Sequence, residues 1–131
     1  MSQTGRHVTS HKVNGLNEQI QIRVQDEPGP GGASHRYCLY VPNDAFNEEL
    51  NASLVTEIQF QKGPITEAGV NGISNEALLA IVEDRLASFQ AGPYACRENA
   101  LALTKLQEAM HWLHHRTRER VARGVEGTSA K

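Results

Sequence analysis

The first half of the chain holds three short runs with the residue pattern of strands. The first run alternates apolar and polar side chains, and the second is aromatic and β-branched. These runs are EQIQIRVQD at 18–26, HRYCLYV at 35–41 and SLVTEIQFQ at 53–61. Alternation with a period of two is typical of half-buried strands, and the links rich in Gly and Pro between the runs are typical of turns. We therefore expect a small antiparallel sheet over residues 18–61. Residues 42–51 are expected to form a loop or a short helical turn.

The second half of the chain changes to a helical period. In SNEALLAIVEDRLASFQ, residues 74–90, Ser74 is a suitable N-cap and the apolar residues fall on one broad face. AGPY at 91–94 interrupts this helix, and the sequence from 96 to 124 resumes the period. The pattern predicts an antiparallel helical hairpin over 74–123. At a rise of about 1.5 Å per residue, its second arm extends about 15 Å beyond its first.

Together these elements predict an α+β fold, with a small N-terminal antiparallel sheet followed by a long C-terminal helical hairpin. A length of 131 residues with 39% hydrophobic side chains fits one domain with a modest core. Within the single domain 1–131 we expect a flexible N-terminus at 1–14, the β region at 18–61, the hairpin at 74–123 and a tail at 125–131.

Composition excludes several classes of protein. Apolar runs fall well short of the ~20 residues that a membrane span needs, and the N-terminal residues lack a signal-peptide core, so we expect a cytoplasmic location. Cys38 and Cys96 lack the spacing of a disulfide framework or of a thiolate metal site. A net charge of −2 argues against a general nucleic-acid binder, so any anion site must be local.

Positive charge is concentrated in the second predicted helix, in HWLHHRTRER at 111–120. This stretch, extended to Arg123, holds four arginines and one glutamate. Trp112, Arg116 and Arg120 recur every four residues and share one stripe, with Arg123 close to its continuation. Cations near a helix C-terminus complement the helix dipole, and that explanation stays open. Arginine at all four positions favours an anion site, because the planar guanidinium binds phosphate oxygens bidentately.

Two other classes of site fit the sequence less well. His111 and His115 at i and i+4 suit a zinc ion only with a third ligand, and no third ligand or adjacent glutamate is evident. We expect solvated or interface histidines there. The sequence also lacks a nucleophile elbow, a Walker loop, a dinucleotide fingerprint and a close carboxylate pair. We therefore expect no metal, no cofactor and no enzymatic activity.

The remaining class is a binder of a small phosphorylated molecule. Phe89 ends the first helix and Asn99 lies near the start of the second, so both stand at the hairpin apex, far from Arg116 and Arg120. An antiparallel second copy would bring the apex of one chain to the arginines of the other. Such an interface pocket offers a ring for a base, an amide for its edge and guanidinium groups for phosphates. Plain core packing is the alternative role for Phe89.

Over half of the chain, about residues 56–128, resembles a known family. The motifs FQKGPI, GVNG, CRENALALTKL and ARGVEGT are similar to the phage Thoeris anti-defence sponges of the first-described type, whose helical hairpin is shared with an anti-CBASS sponge family. The resemblance implies a non-enzymatic protein in the cytoplasm of the infected bacterial host cell. Such a protein captures glyco-cyclic ADP-ribose isomers and thereby silences an abortive-infection effector. Residues 1–34 carry no resemblance.

The resemblance also implies the ligand-binding residues. Phe89 corresponds to the adenine-stacking ring, Asn99 to a polar contact, and Arg116 with Arg120 to phosphate clamps from the adjoining subunit. The implied assembly is a homo-oligomer, a dimer that can form a hexamer as a trimer of dimers.

Further sites for cyclic di- and trinucleotides are implied as well, and we place them at the hairpin apex around Gly92 and Ala95. No nucleic-acid or membrane partner is expected. The alternative function is an interaction protein whose basic helix docks an acidic protein or a nucleic acid.

Overall fold

Backbone pairing between neighbouring runs of the N-terminal half builds one four-stranded sheet. The computed structural model describes residues 4–42 and 53–130. Its strands are β1 His7–Val8, β2 Gln21–Val24, β3 Arg36–Val41 and β4 Ser53–Gln59. They pair antiparallel in the order β1-β2-β3-β4. The predicted antiparallel sheet is confirmed, whereas the loop or turn predicted at 42–51 lies, apart from Pro42, outside the described residues.

Two elements of this region were not foreseen. β1 lies inside the N-terminal stretch expected to be flexible, and the N–H of Gly5 beside it donates to the carbonyl of Val24 over 2.7 Å. Backbone hydrogen bonds between strands do not require alternating apolar residues. The hydrophobic pattern of the sequence therefore did not indicate β1. The first predicted strand starts late because helix α1, Gly15–Gln19, precedes it. The side chain of Asn14 caps α1 by accepting a hydrogen bond from the N–H of Asn17 over 2.8 Å.

The turn between β2 and β3 is held by the carboxylate of Asp26. It accepts hydrogen bonds from the backbone N–H groups of His35 at 3.0 Å and Arg36 at 2.9 Å, while the hydroxyl of Ser34 donates to the Asp26 carbonyl over 2.9 Å. Burial acts to raise the pKa of Asp26. The N–H donors and the positive charges of His35 and Lys62 outweigh it and lower that pKa below its ordinary value. The ionised carboxylate therefore stabilises this turn.

After β4 the chain returns to the sheet in a close backbone approach. Phe60 forms an isolated parallel bridge with Ile73, whose N–H donates to the carbonyl of Gln59 over 2.9 Å. A Cβ placed on Gly72 would lie 2.4 Å from the carbonyl carbon of Phe60. Glycine at this position is what allows the two backbone segments to meet.

The C-terminal half forms the predicted hairpin. Its helices are α2 Ile65–Ala68, α3 Asn75–Gln90 and α4 Arg97–Ala122. Ser74 caps α3 as expected, because its hydroxyl accepts a hydrogen bond from the N–H of Ala77 over 3.1 Å. At the apex the side-chain oxygen of Gln90 accepts one from the N–H of Cys96 over 3.0 Å. With 26 residues against 16, α4 is the longer arm, and the predicted α+β fold is confirmed.

Burial is shallow along the hairpin. No residue of α3 is buried, and Arg120 is the buried residue of α4. Several large apolar side chains of the two helices are exposed, namely Ile81, Val82, Leu101, Trp112 and Val121. Apolar surface of this kind marks an interaction face when its members are contiguous.

The described residues divide into two compact units. One holds those up to Gly63 together with Val70–Ile73, and the other holds Pro64–Gly69 with those from Ser74 onward. The single domain 1–131 stays a prediction. Within the described ranges no helix combines the length and apolar character that crossing a membrane requires.

Gly72→Ala should destabilise the protein by about 1–3 kcal/mol, because the added methyl group meets backbone atoms that cannot move aside easily. Chemical denaturation measures this change. Gly15→Ala is the matched control, since nothing lies within 4 Å of a Cβ there. An equal effect of the two substitutions would contradict the close approach.

Asp26→Asn should lower the free energy of unfolding at pH 7, because it removes the charge of a carboxylate that accepts backbone N–H hydrogen bonds. The loss should be only about 1 kcal/mol, since solvent screens this partly exposed group. The folded-state pKa of Asp26 is lowered, so its stabilisation is present above the unfolded pKa of about 3.9 and is lost as the pH falls through the folded value. Denaturation curves of wild type and variant should therefore converge at low pH. A difference that persists there would show that the ionised form has no special role.

Candidate ligand-binding site

The arginine stripe predicted from the sequence exists as one face of α4. Arg116, Glu119, Arg120 and Arg123 line a surface depression of 240 Å³. The Arg116 side chain is exposed, and the Arg123 guanidinium lies 3.9 Å from the Glu119 carboxylate. The structure thus brings Arg116 and Arg120 together, and three guanidinium groups outnumber the one carboxylate that lines the depression.

Arg120 differs from its neighbours because its donors are already engaged within the chain. Its side chain is 10% exposed. Nε donates to the Glu126 carboxylate at 3.1 Å, Nη1 to the Ala130 carbonyl at 2.6 Å, and Nη2 to the carbonyls of Val125 and Thr128 at 3.0 Å. A phosphate that binds this guanidinium must compete with these four acceptors.

The same C-terminal segment, residues 125–130, also reaches α2. The carbonyl of Gly127 accepts hydrogen bonds from the N–H and the hydroxyl of Thr66 at 3.1 and 2.8 Å. Gly127 has φ +81°, and a Cβ there would lie 2.9 Å from Cγ1 of Ile65. A tail was expected at 125–131, yet residues 125–130 tie α4 to α2.

The hairpin apex holds a larger cavity of 610 Å³ around Phe89. Its lining is a face of α3 together with the turn that follows, namely Ile81, Asp84, Arg85, Ser88, Phe89, Gly92, Pro93 and Tyr94. The guanidinium carbon of Arg85 lies 5.1 Å from the centre of the Phe89 ring, and the Tyr94 ring meets that ring edge-on at 6.5 Å. An aromatic ring in a cavity of this size suits a planar base.

Comparison with known proteins bears directly on this hairpin. The family profile described as the Acb2/Tad1 hairpin domain matches residues 53–118, half of the chain. The chain belongs to the Acb2/Tad1 hairpin-domain family. Over 80 residues it is 54% identical to a protein of Bacillus phage SBSphiJ7 named Thoeris anti-defense 1. That match covers 61% of this chain and 56% of the relative, so the chain spans little more than half the relative's length.

The family match confirms the resemblance drawn from the sequence motifs, and it includes most of the candidate site. Phe89, Asn99 and Arg116 lie inside the Acb2/Tad1 hairpin match, which ends two residues before Arg120. The C-terminal segment that engages Arg120 therefore lies outside the matched hairpin domain.

Asn99 and Ala95 stand apart from the apex cavity. Asn99 is half-buried in the first turn of α4, where its N–H donates to the Cys96 sulfur over 3.4 Å. Ala95 is exposed in the turn, and neither residue is among those lining the cavity. Of the apex residues predicted from the sequence, the fold places Phe89 and Gly92 in one cavity.

The two halves of the predicted pocket are separated within one chain. Asn99 and Arg116 are 17 positions apart on α4, which corresponds to about 26 Å along the helix axis. The role of all four predicted residues as ligand contacts therefore stays a prediction, and it requires a second copy.

The histidines of the charged stretch form an aromatic cluster. His111 and His115 meet the Trp112 ring edge-on, with ring centres 5.4 and 5.8 Å apart. Within 4–42 and 53–130, no group of three or more His, Cys, Asp or Glu side chains is arranged to hold a metal ion.

Arg85, Tyr94 and Glu126 were missed by sequence analysis. The spacing of four between Arg85 and Phe89 is a signal that was available, because residues i and i+4 of a helix are neighbours. The contact of Arg120 with Glu126 had no such signal, since it depends on how the chain turns after α4.

Arg120→Ala should release the C-terminal segment, because four acceptors lose their donors at once. Amide hydrogen exchange at 125–130 should become about tenfold faster or more, which corresponds to roughly 1.4 kcal/mol of lost protection. Arg116→Ala is the control and should leave this exchange unchanged. Equal exchange in wild type and Arg120→Ala would contradict a role of Arg120 in holding residues 125–130.

Proposed function

We propose that this chain is a phage anti-defence protein that binds and sequesters cyclic nucleotide immune signals without degrading them. The proposed ligands are the glyco-cyclic ADP-ribose isomers of Thoeris signalling, and cyclic di- and trinucleotides of CBASS at further sites around Gly92 and Ala95. Membership of the Acb2/Tad1 hairpin family and the relative named Thoeris anti-defense 1 support this proposal. The observation that carries it is one hairpin bearing an aromatic cavity and a separate cluster of guanidinium groups.

The proposal requires a homo-oligomer. Because Asn99 at the apex and Arg116 lie about 26 Å apart along α4, a complete pocket forms only when the apex of one copy meets the arginines of another. Exposed apolar side chains on both helices provide surface for such contact, with Trp112 65% and Ile81 66% exposed. We propose a dimer, which can assemble further into a hexamer as a trimer of dimers.

Within this pocket the groups divide by chemistry. The Phe89 ring stacks on adenine, Asn99 offers an amide to its edge, and the exposed guanidinium of Arg116 binds phosphate oxygens. Arg120 joins the phosphate contact from its buried position, where the Glu126 carboxylate is the competing anion. Each charge-assisted hydrogen bond contributes about 1.5–3 kcal/mol.

Sequestration explains why a site of this kind needs no catalytic group. A protein that removes a signal stoichiometrically must hold it below the threshold of the effector, which calls for nanomolar binding or about −12 kcal/mol. A preformed interface pocket reaches such affinity because few groups have to be ordered on binding.

Calorimetry with the 1″–2′ and 1″–3′ glyco-cyclic ADP-ribose isomers tests the proposal. Wild type should bind with nanomolar affinity, and Arg116→Ala should bind at least tenfold more weakly, because it loses charge-assisted hydrogen bonds to phosphate. Arg118→Ala is the matched control, since Arg118 is an exposed arginine of the same helix outside the depression. Equal losses in both variants would point to diffuse charge attraction rather than a phosphate clamp.

Two further readouts separate the proposal from its alternatives. Ligand recovered after denaturing the complex should be chemically intact, and a cleaved ligand would contradict sequestration. A steep dependence of binding on salt for DNA, with no binding of the cyclic ADP-ribose isomers, would instead favour a basic helix that docks nucleic acid.

A further inference from the structure

The Phe89 ring is contacted by two side chains of its own chain. Arg85, one turn earlier on α3, places its guanidinium carbon 5.1 Å from the ring centre. Tyr94, in the turn beyond α3, approaches at 6.5 Å with the ring planes at 69°. The first contact lies over the face of the ring and the second is an edge-to-face pair.

The apex turn fixes the backbone on both sides of Tyr94. The Gln90 side chain accepts the N–H of Cys96 at 3.0 Å, and the N–H of Gly92 donates to the Phe89 carbonyl at 3.1 Å. Proline at 93 fixes the backbone φ immediately before Tyr94. Tyr94 is 74% exposed, so its position follows from this turn and from the Phe89 contact rather than from burial.

A ring that stacks on a base must be ordered before or during binding. A half-buried phenylalanine at a helix end samples several rotamers, and restricting them on binding weakens affinity. Contacts that restrict the ring in the unliganded protein remove part of this cost. The cavity around the ring, at 610 Å³, leaves room for a nucleotide base beside these contacts.

We propose that Arg85 and Tyr94 are positioning residues that hold the Phe89 ring ready to stack on the adenine base of the bound nucleotide. This inference rests on the proposed function, in which Phe89 is the stacking ring. Arg85 acts through the ring face and Tyr94 through an edge-to-face contact, so the loss of either disorders Phe89 without removing it.

The first test needs no ligand. Side-chain NMR of the unliganded protein reports the rotamer populations of Phe89. In Arg85→Ala and in Tyr94→Ala these populations should become more evenly averaged than in wild type. Arg97→Ala is the matched control, because Arg97 is an exposed arginine near the same end of the hairpin and does not line the cavity. Unchanged populations in both variants would overturn the positioning role.

The second test measures binding of 1″–2′ glyco-cyclic ADP-ribose by calorimetry. Arg85→Ala and Tyr94→Ala should each weaken binding about threefold, while Arg85→Lys and Tyr94→Phe, which keep the cation and the ring, should restore most of it. In a Phe89→Ala background, Arg85→Ala should cause no further loss, because its effect passes through the ring. A full threefold loss in that background would show direct contact with the ligand and overturn the proposal.

The two tests also separate this inference from the function on which it rests. If wild type fails to bind the probe while the Phe89 rotamers respond to Arg85→Ala, the proposed function fails and the ring contacts are real. If wild type binds and the rotamers do not respond, the proposed function stands and the positioning role fails.

Discussion

The fixed rise of an α-helix is the constraint on which the rest of this protein depends. Because α4 is one uninterrupted helix of 26 residues, groups at its two ends cannot approach each other within a chain. Asn99, in its first turn at the hairpin apex, and Arg116 are thereby kept about 26 Å apart. A site that needs both must be assembled from two chains, so the geometry of a single helix makes oligomerisation part of the proposed binding chemistry.

The local elements of the fold could be read from the sequence because their causes are local. Alternation and aromatic or β-branched content indicated the strands, and the period of 3.6 indicated the hairpin. Ser74 marked the start of α3 by a capping bond that the structure contains. β1 was not predicted, because a strand of two residues held by backbone pairing has no recognisable side-chain pattern. α1 was not predicted, because its N-cap Asn14 lies in a stretch without apolar periodicity.

The candidate site was predictable only in part, because some of its contacts depend on helical spacing and others on the path of the chain beyond the helices. Helical spacing was enough to group Arg116 with Arg120, and the depression they line confirms that grouping. It gave no indication that Arg120 would be buried under residues 125–130, because that contact depends on the path of the chain after Gly124. The partners of Phe89 were within reach of helical spacing in the case of Arg85, whereas Tyr94 required the conformation of the apex turn.

Arg116 and Arg120 lie on one charged surface but differ in how much the fold depends on each of them. A lysine at position 120 would keep the positive charge. Its single nitrogen would replace the three guanidinium nitrogens that now donate to four acceptors around the group. The exposed Arg116, by contrast, makes no comparable demand on the fold. Substitution is therefore open at position 116, while position 120 is constrained by the hydrogen bonds of its own chain.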